Sequence, residues 1–111
     1  MNWLHKEIKW VPVGPIRQWF EPGINAMVLI EVAGKDITLA QWHNQIYAFA
    51  KKCPHAGGIL ANGYINAVGC VTCPLHHYSF NITNGRNVSG EGYYLKTYAT
   101  KIEEEELWIG I

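Results

Sequence analysis

The sequence predicts an all-β, antiparallel fold with a loop-rich lobe set between its strands. Three observations carry this: short apolar, β-branched runs recur between turn residues; helical periodicity is poor throughout; and residues 51–92 differ in composition from both flanks. The chain of 111 residues fits one domain, expected to span residues 1–111.

Taken in order, the early segment is broken by Pro12, Gly14, Pro15, Pro22 and Gly23, leaving room for about one helical turn at Ile16 to Trp19. Ala26 to Val32 is a continuous apolar run suited to a strand buried on both faces. Gly34-Lys35-Asp36 reads as a turn, and Ile37-Thr38-Leu39 resumes an alternating, half-buried strand. His43-Asn44 marks the next turn, followed by Gln45 to Ala50; the three runs form an antiparallel meander. At the other end, Leu95 to Glu103 and Glu106 to Ile111 pair as a hairpin, with Leu107, Ile109 and Ile111 alternating onto one face. Between them, Cys53 to Gly92 is rich in Gly, Asn, Cys and His, the composition of a functional, loop-rich lobe.

Bulk composition excludes several function classes. Nine basic and nine acidic residues balance, so the basic footprint of nucleic-acid binding is missing. The N-terminus, Met1 to Glu7, lacks the apolar core of a signal peptide, and the longest apolar run, Ala26 to Ile30, is far too short to span a membrane. A soluble, cytoplasmic protein is expected. Three cysteines argue against a closed disulfide framework and, near histidines, suggest metal ligands.

Two motifs in the lobe carry the chemistry. Cys53-Pro54-His55 is followed by Ala56-Gly57-Gly58-Ile59-Leu60, and Cys73-Pro74-Leu75-His76 by His77-Tyr78-Ser79-Phe80. Two thiolates and two imidazoles satisfy a tetrahedral zinc ion, and equally a 2Fe–2S cluster with sulfur ligands on one iron and nitrogen on the other. Zinc fingers pair Cys with Cys and His with His. Here each motif is mixed, which suits a cluster whose two irons are distinguishable.

This pattern, Cys-x-His then Cys-x-x-His with a proline after each cysteine, resembles the Rieske iron–sulfur family. Gly57, Leu60, Phe80 and the Asn84-Gly85 turn extend the likeness beyond the ligands. The resemblance implies an antiparallel β-sandwich or incomplete barrel, with one 2Fe–2S cluster held by Cys53 and Cys73 on the buried iron and His55 and His76 on the outer iron. It further implies a single-electron carrier, not an enzyme, that has no small-molecule substrate. The implied donor is a flavin reductase using NADH or NADPH and the acceptor an oxygenase, docking over the tip that carries the two histidines. Two alternatives stand beside it, the small subunit of an NAD(P)H nitrite reductase and a zinc-stabilised interaction module.

Subtype follows from missing groups. High-potential members carry a disulfide between the two loops and hydroxyls on the cluster sulfurs; the matching positions here are Gly58 with Leu75, and Tyr78 with Phe80. The bridge cannot form, and Phe80 has no hydroxyl. Loss of hydrogen bonds to sulfur lowers the potential, which places it near about −150 mV and not near about +300 mV. The resemblance is therefore to soluble ferredoxins of bacterial ring-hydroxylating oxygenases. One departure stands out: the third loop, Arg86 to Gly92, lacks the family's proline, and Gly90 and Gly92 are expected to permit a close backbone approach instead.

The remaining candidates have plainer readings. Cys70 forms Cys70-x-x-Cys73 but sits in a short strand, Val68 to Thr72, and reads as core. His77 reads as exposed, and His5 and His43 are assigned nothing. Glu103 to Glu106 reads as a solvated hairpin end. Trp3, Trp10, Trp19, Trp42 and Trp108 are expected to pack the core.

Overall fold

A computed structural model describes residues 7–55 and 57–111. Trp3, His5 and most of the leader reading at the N-terminus lie outside the described residues, as does Ala56. The strands are β1 (Trp10–Pro15), β2 (Ala26–Val32), β3 (Lys35–Trp42), β4 (Gln45–Ala50), β5 (Tyr64–Ile65), β6 (Cys70–Thr72), β7 (Ser79–Asn81), β8 (Thr97–Glu103) and β9 (Glu106–Gly110). Short 3-10 turns cover Ile16–Gln18 and Leu60–Asn62. Among the described residues no helix is long and apolar enough to cross a membrane.

Every strand pair is antiparallel. Six strands form one sheet in the order β1-β9-β8-β4-β3-β2, and β5-β6-β7 form a second, smaller sheet. The large sheet curls. Val11 and Val13 from one edge strand share a core with Ile30 and Val32 from the other, together with Leu39, Leu107 and Ile109. Chain connection explains the order: three hairpins turn through residue pairs that both take positive φ, Ala33-Gly34, His43-Asn44 and Glu104-Glu105. That is the turn geometry whose twist matches the flanking strands. The acidic run is thus a hairpin end, with Glu104 and Glu105 exposed at its tip.

The strand boundaries correct several readings. The turn between β2 and β3 is Ala33-Gly34, so Lys35 and Asp36 already belong to β3, which runs on to Trp42. Ala26 to Val32 is not buried on both faces. It is an edge strand with Leu29 42% exposed and Glu31 exposed; Ala26, Val28, Ile30 and Val32 pack on the first core, and from the other face only Met27 packs, against the second. The strand covered on both sides is β3, where Ile37 to Gln41 are all buried. Ile37 and Leu39 face the first core, whereas Ala40 faces a second core shared with the small sheet.

Strand β1 has no counterpart among the expected elements, because two prolines and a glycine argue against any strand there. It survives at the sheet edge, where a missing N–H costs nothing to a further neighbour. A bulge between Pro12 and Gly14 absorbs the irregularity, and the Gly14 N–H donates to the Glu106 carboxylate at 2.8 Å. Strand β8 begins at Thr97, two residues later than its apolar pattern suggests, because Leu95 turns inward and donates its N–H to Gly85. Trp19 and Trp42 pack against the two cores. Trp10 and Trp108 do not. They are half-buried, with the Lys101 ammonium 4.6 and 5.5 Å from their rings.

Gln41 joins the meander to the segment before β2. Its side chain is buried and its amide donates to the carbonyls of Glu21 at 2.7 Å and Ile24 at 2.8 Å. Gln41→Ala strands both carbonyls, so a loss of about 2 kcal/mol is expected in urea unfolding. A change below a few tenths would mean water replaces the amide freely.

Candidate metal centre

The second core is where the small sheet meets β3 and β4. It contains Ala40, Phe49, Leu60, Val71, Phe80, Ile82 and Leu95, and with them Cys53 and Cys73. Both cysteines are sequestered, at 2% and 0% exposure, while His55, His76 and His77 are exposed. The sequence-derived residues are therefore brought to one end of the lobe, sulfurs inward and imidazoles outward.

Two loops do this in the same way. The Cys53 N–H donates to the Gly58 carbonyl at 2.8 Å, and the Cys73 N–H donates to the Tyr78 carbonyl at 2.8 Å. Each cysteine thus closes a loop that reaches five residues further and carries its histidine at the tip. Gly57 in the first loop and His76 and His77 in the second take positive φ, which tightens both turns. The ring centroids of His55 and His76 lie 5.7 Å apart. Thr72 and Ser79, flanking the second loop, share a hydroxyl hydrogen bond of 3.0 Å.

Burial pushes the Cys73 thiol above the ordinary range, and the nearby Cys53 thiol adds to the rise. The backbone N–H groups of Leu75 and Gly58 donate to the Cys73 sulfur and pull the other way. They are preset to stabilise negative charge on that sulfur once the proton has left. Gly58 and Leu75 also sit side by side: a Cβ on Gly58 would lie 2.7 Å from the Cys73 sulfur and 3.2 Å from Leu75 Cγ. The positions matched to the family's inter-loop bridge are thus neighbours, filled here by a hydrogen atom and an isobutyl group.

Cys70 lies in β6, 3% exposed, and burial alone raises its thiol. All three cysteines are free. His43 is exposed at a hairpin turn, stacked on Trp42 at 4.0 Å.

Two aromatic contacts to His55 were not legible in advance. Tyr78 stacks on His55 at 4.1 Å, and its hydroxyl lies 3.3 Å from His55 Nε2. Its hydroxyl is directed to an imidazole, and Phe80 is fully buried in the second core. Tyr93 approaches the same ring at 5.2 Å from the other loop. The expectation for Gly90 and Gly92 needs correcting. A Cβ on either would meet nothing within 4 Å, so neither makes a close approach; their role is positive φ, at 93° and 84°. The third loop covers the histidine end with a side chain, Tyr93, not with its backbone. No spacing rule announces that residue.

The donor set fits a two-iron cluster. Two sulfurs sit in a dry core with amide donors, and two imidazoles stand at the surface, a division that matches one inner and one outer iron. Among the described residues no three His, Cys, Asp or Glu side chains converge on a single-ion position.

Comparison with known proteins agrees. The family model described as the Rieske [2Fe-2S] domain matches residues 9–99. The chain belongs to the Rieske [2Fe-2S] family. One Rieske-type 2Fe–2S cluster is its cofactor, and its role is electron transfer, not catalysis. Among curated relatives, the ferredoxin component of the naphthalene 1,2-dioxygenase system of Pseudomonas putida is 26% identical over 105 residues, covering 94% of this chain and 97% of the relative. Two solved structures share the Rieske fold. The ferredoxin in a complex of reduced oxygenase and oxidized ferredoxin of carbazole 1,9a-dioxygenase superposes with a TM-score of 0.77 at 21% identity, covering 91% and 92% of the two chains. A putative NADH-dependent nitrite reductase small subunit from Mycobacterium tuberculosis gives 0.82 at 13% identity, covering 96% and 97%.

Proposed function

We propose that Cys53 and Cys73 hold the inner iron and His55 and His76 the outer iron of the cluster. On this reading residues 1–111 act as one cytoplasmic Rieske domain with its cluster lobe at about 51–92. The chain carries single electrons from a flavin-dependent NAD(P)H reductase to a ring-hydroxylating oxygenase. The observation that carries the proposal is the segregation of donors, two buried sulfurs below two exposed imidazoles at one end of the lobe. Bound there, the cluster takes up and releases one electron at a time. The two sulfur ligands stay in the dry core, shielded by Leu60, Phe80 and Leu95. The imidazoles reach solvent, which puts the docking surface for both redox partners over His55 and His76. Relatives at near full-length coverage are components of dioxygenase systems, which supports the oxygenase as acceptor.

The nitrite reductase subunit shares the fold, and its likeness at 13% identity extends no further. The four donor residues favour the carrier over it. A zinc module would need four donors around one point, and here they are divided into two pairs.

Electron paramagnetic resonance of anaerobically purified protein, before and after dithionite, tests the assignment when iron and zinc are measured on the same sample. The expected result is about two irons per chain and a rhombic signal that appears only on reduction. A colourless, silent sample with about one zinc per chain would refute it.

A further inference from the structure

The third loop is held by a hub of side-chain hydrogen bonds that the ligand assignment does not use. The Asn87 amide donates to the Ser79 carbonyl at 3.1 Å, to the Ser89 hydroxyl at 3.1 Å and to the Glu91 carboxylate at 3.0 Å. Its oxygen accepts the backbone N–H of Glu91 at 2.5 Å and of Gly92 at 3.0 Å. One side chain therefore makes five contacts, all but one of them within its own loop. The Ser89 hydroxyl accepts the Ser79 N–H at 3.0 Å and itself donates to Glu91. The Val88 N–H returns to the Ser79 carbonyl at 2.9 Å.

Ser79 begins β7, next to Tyr78, the residue stacked on His55. The hub thus ties the third loop to the strand that presents one aromatic neighbour of His55. Two residues beyond Glu91, the same loop presents the other neighbour, Tyr93. Tyr78 and Tyr93 themselves lie 6.1 Å apart. Backbone bridges hold the two ends of the loop, Phe80 with Asn87 and Arg86 with Tyr94; between those ends Gly90 and Gly92 lie at positive φ with open space around both, and there the hub's side chains set the course.

We propose that Asn87, acting with Glu91, is a positioning residue for His55. The pair fixes the third loop so that Tyr93 packs against the exposed imidazole beside Tyr78, the two tyrosines meeting it from adjacent sides. This stands in place of a proline-stiffened loop, and uses side-chain hydrogen bonds where ring closure would otherwise restrict the chain. The proposal rests on His55 being a cluster ligand, as assigned above.

The test compares Asn87→Ala, Glu91→Ala and Glu91→Gln. Gln keeps the acceptor oxygen that Asn87 and Ser89 use, so it is the conservative replacement. In the loaded, oxidised protein, crystal structures are expected to show that Asn87→Ala and Glu91→Ala lose the proximity of the Tyr93 and His55 rings. Amide exchange at Val88 and Gly92 should rise about tenfold, with the amides of Leu39 and Ile109 unchanged as a check on the fold. Glu91→Gln should retain both. In the loaded, reduced protein, pulsed electron paramagnetic resonance should show an altered nitrogen coupling for one of two imidazoles in the Ala variants only.

Ring proximity and exchange rates unchanged in Asn87→Ala would overturn the proposal. So would a Glu91→Gln protein that behaves like Glu91→Ala, since the hydrogen-bond geometry would then not be what matters. Should Asn87→Ala fail to fold, the two Glu91 variants decide the question alone. A wild-type protein lacking coupling to two imidazoles would instead remove the ligand assignment beneath the proposal, and that outcome is distinct from the others.

Discussion

Cys73→Ala is expected to purify with essentially no 2Fe–2S cluster, its iron content falling from about two per chain to near zero. The residue is fully buried, and its sulfur receives the backbone N–H groups of Leu75 and Gly58. Removing it leaves those donors aimed at an apolar space that water reaches poorly. Cys53, 2% exposed, would remain as a single inner donor, and one thiolate cannot hold the sulfur-ligated iron. Because metal affinity is folding free energy in a site of this kind, the midpoint of thermal unfolding should fall as well. The sulfur's own packing adds about 1 kcal/mol to that loss. Cys70→Ala is the control. It removes a similarly buried thiol from β6, three residues before Cys73, and should keep its full iron complement. A Cys73→Ala protein that retains iron, or a Cys70→Ala protein that loses it, would reassign the inner ligand.

Much of this site was legible because its chemistry depends on residue identity at short range. Cys53, His55, Cys73 and His76 occur in two compact motifs, and a spacing of one or two residues limits where the side chains can go. The closing hairpin was legible for a similar reason: Leu107, Ile109 and Ile111 alternate onto one face, and Leu107 and Ile109 lie in the first core with Ile111 packed against it. What failed was whatever depended on position within the sheet. Ala26 to Val32 has the composition of a central strand but lies at an edge, and no local pattern states how many neighbours a strand has. The β1 strand was hidden by the opposite effect, since Pro12 and Gly14 are excluded from sheet interiors yet tolerated at an edge with a bulge. Tyr93 and the Asn87 hub escaped because their contacts cross between loops. Asn87-x-Ser89-x-Glu91 is an ordinary polar stretch until Ser79 is brought beside it.

The glycines separate two kinds of constraint that look alike in sequence, and Gly85→Ala should be the more damaging of a chosen pair. Gly85 takes φ +80°, and a Cβ added to it would overlap the Leu95 carbonyl oxygen and lie 3.1 Å from its carbon. Those are backbone atoms, so no rotamer change relieves the clash. The two residues are also hydrogen-bonded, Leu95 N–H to the Gly85 carbonyl at 2.9 Å, while the Gly85 N–H donates to the Asn81 carbonyl at 2.8 Å. The turn before it is already stapled, with Asn81 Oδ1 accepting from Thr83 at 2.8 Å and Asn84 Oδ1 from Arg86 at 2.9 Å. Displacement must therefore pass to Leu95. That side chain is 3% exposed and packs in the core that holds Cys53 and Cys73. A cost of about 4 kcal/mol is expected, together with weakened iron retention. Gly34 supplies the comparison, because it has nearly the same φ, +81°, and a Cβ added there would have nothing within 4 Å. Gly34→Ala carries only the backbone penalty, about 1 kcal/mol. Urea unfolding of both variants reads the difference directly. Equal losses would show that positive φ alone governs both sites and that the contact between Gly85 and Leu95 yields readily. A loss several times larger at Gly85, accompanied by lower iron content, would locate the support of the metal-binding lobe in that single backbone contact.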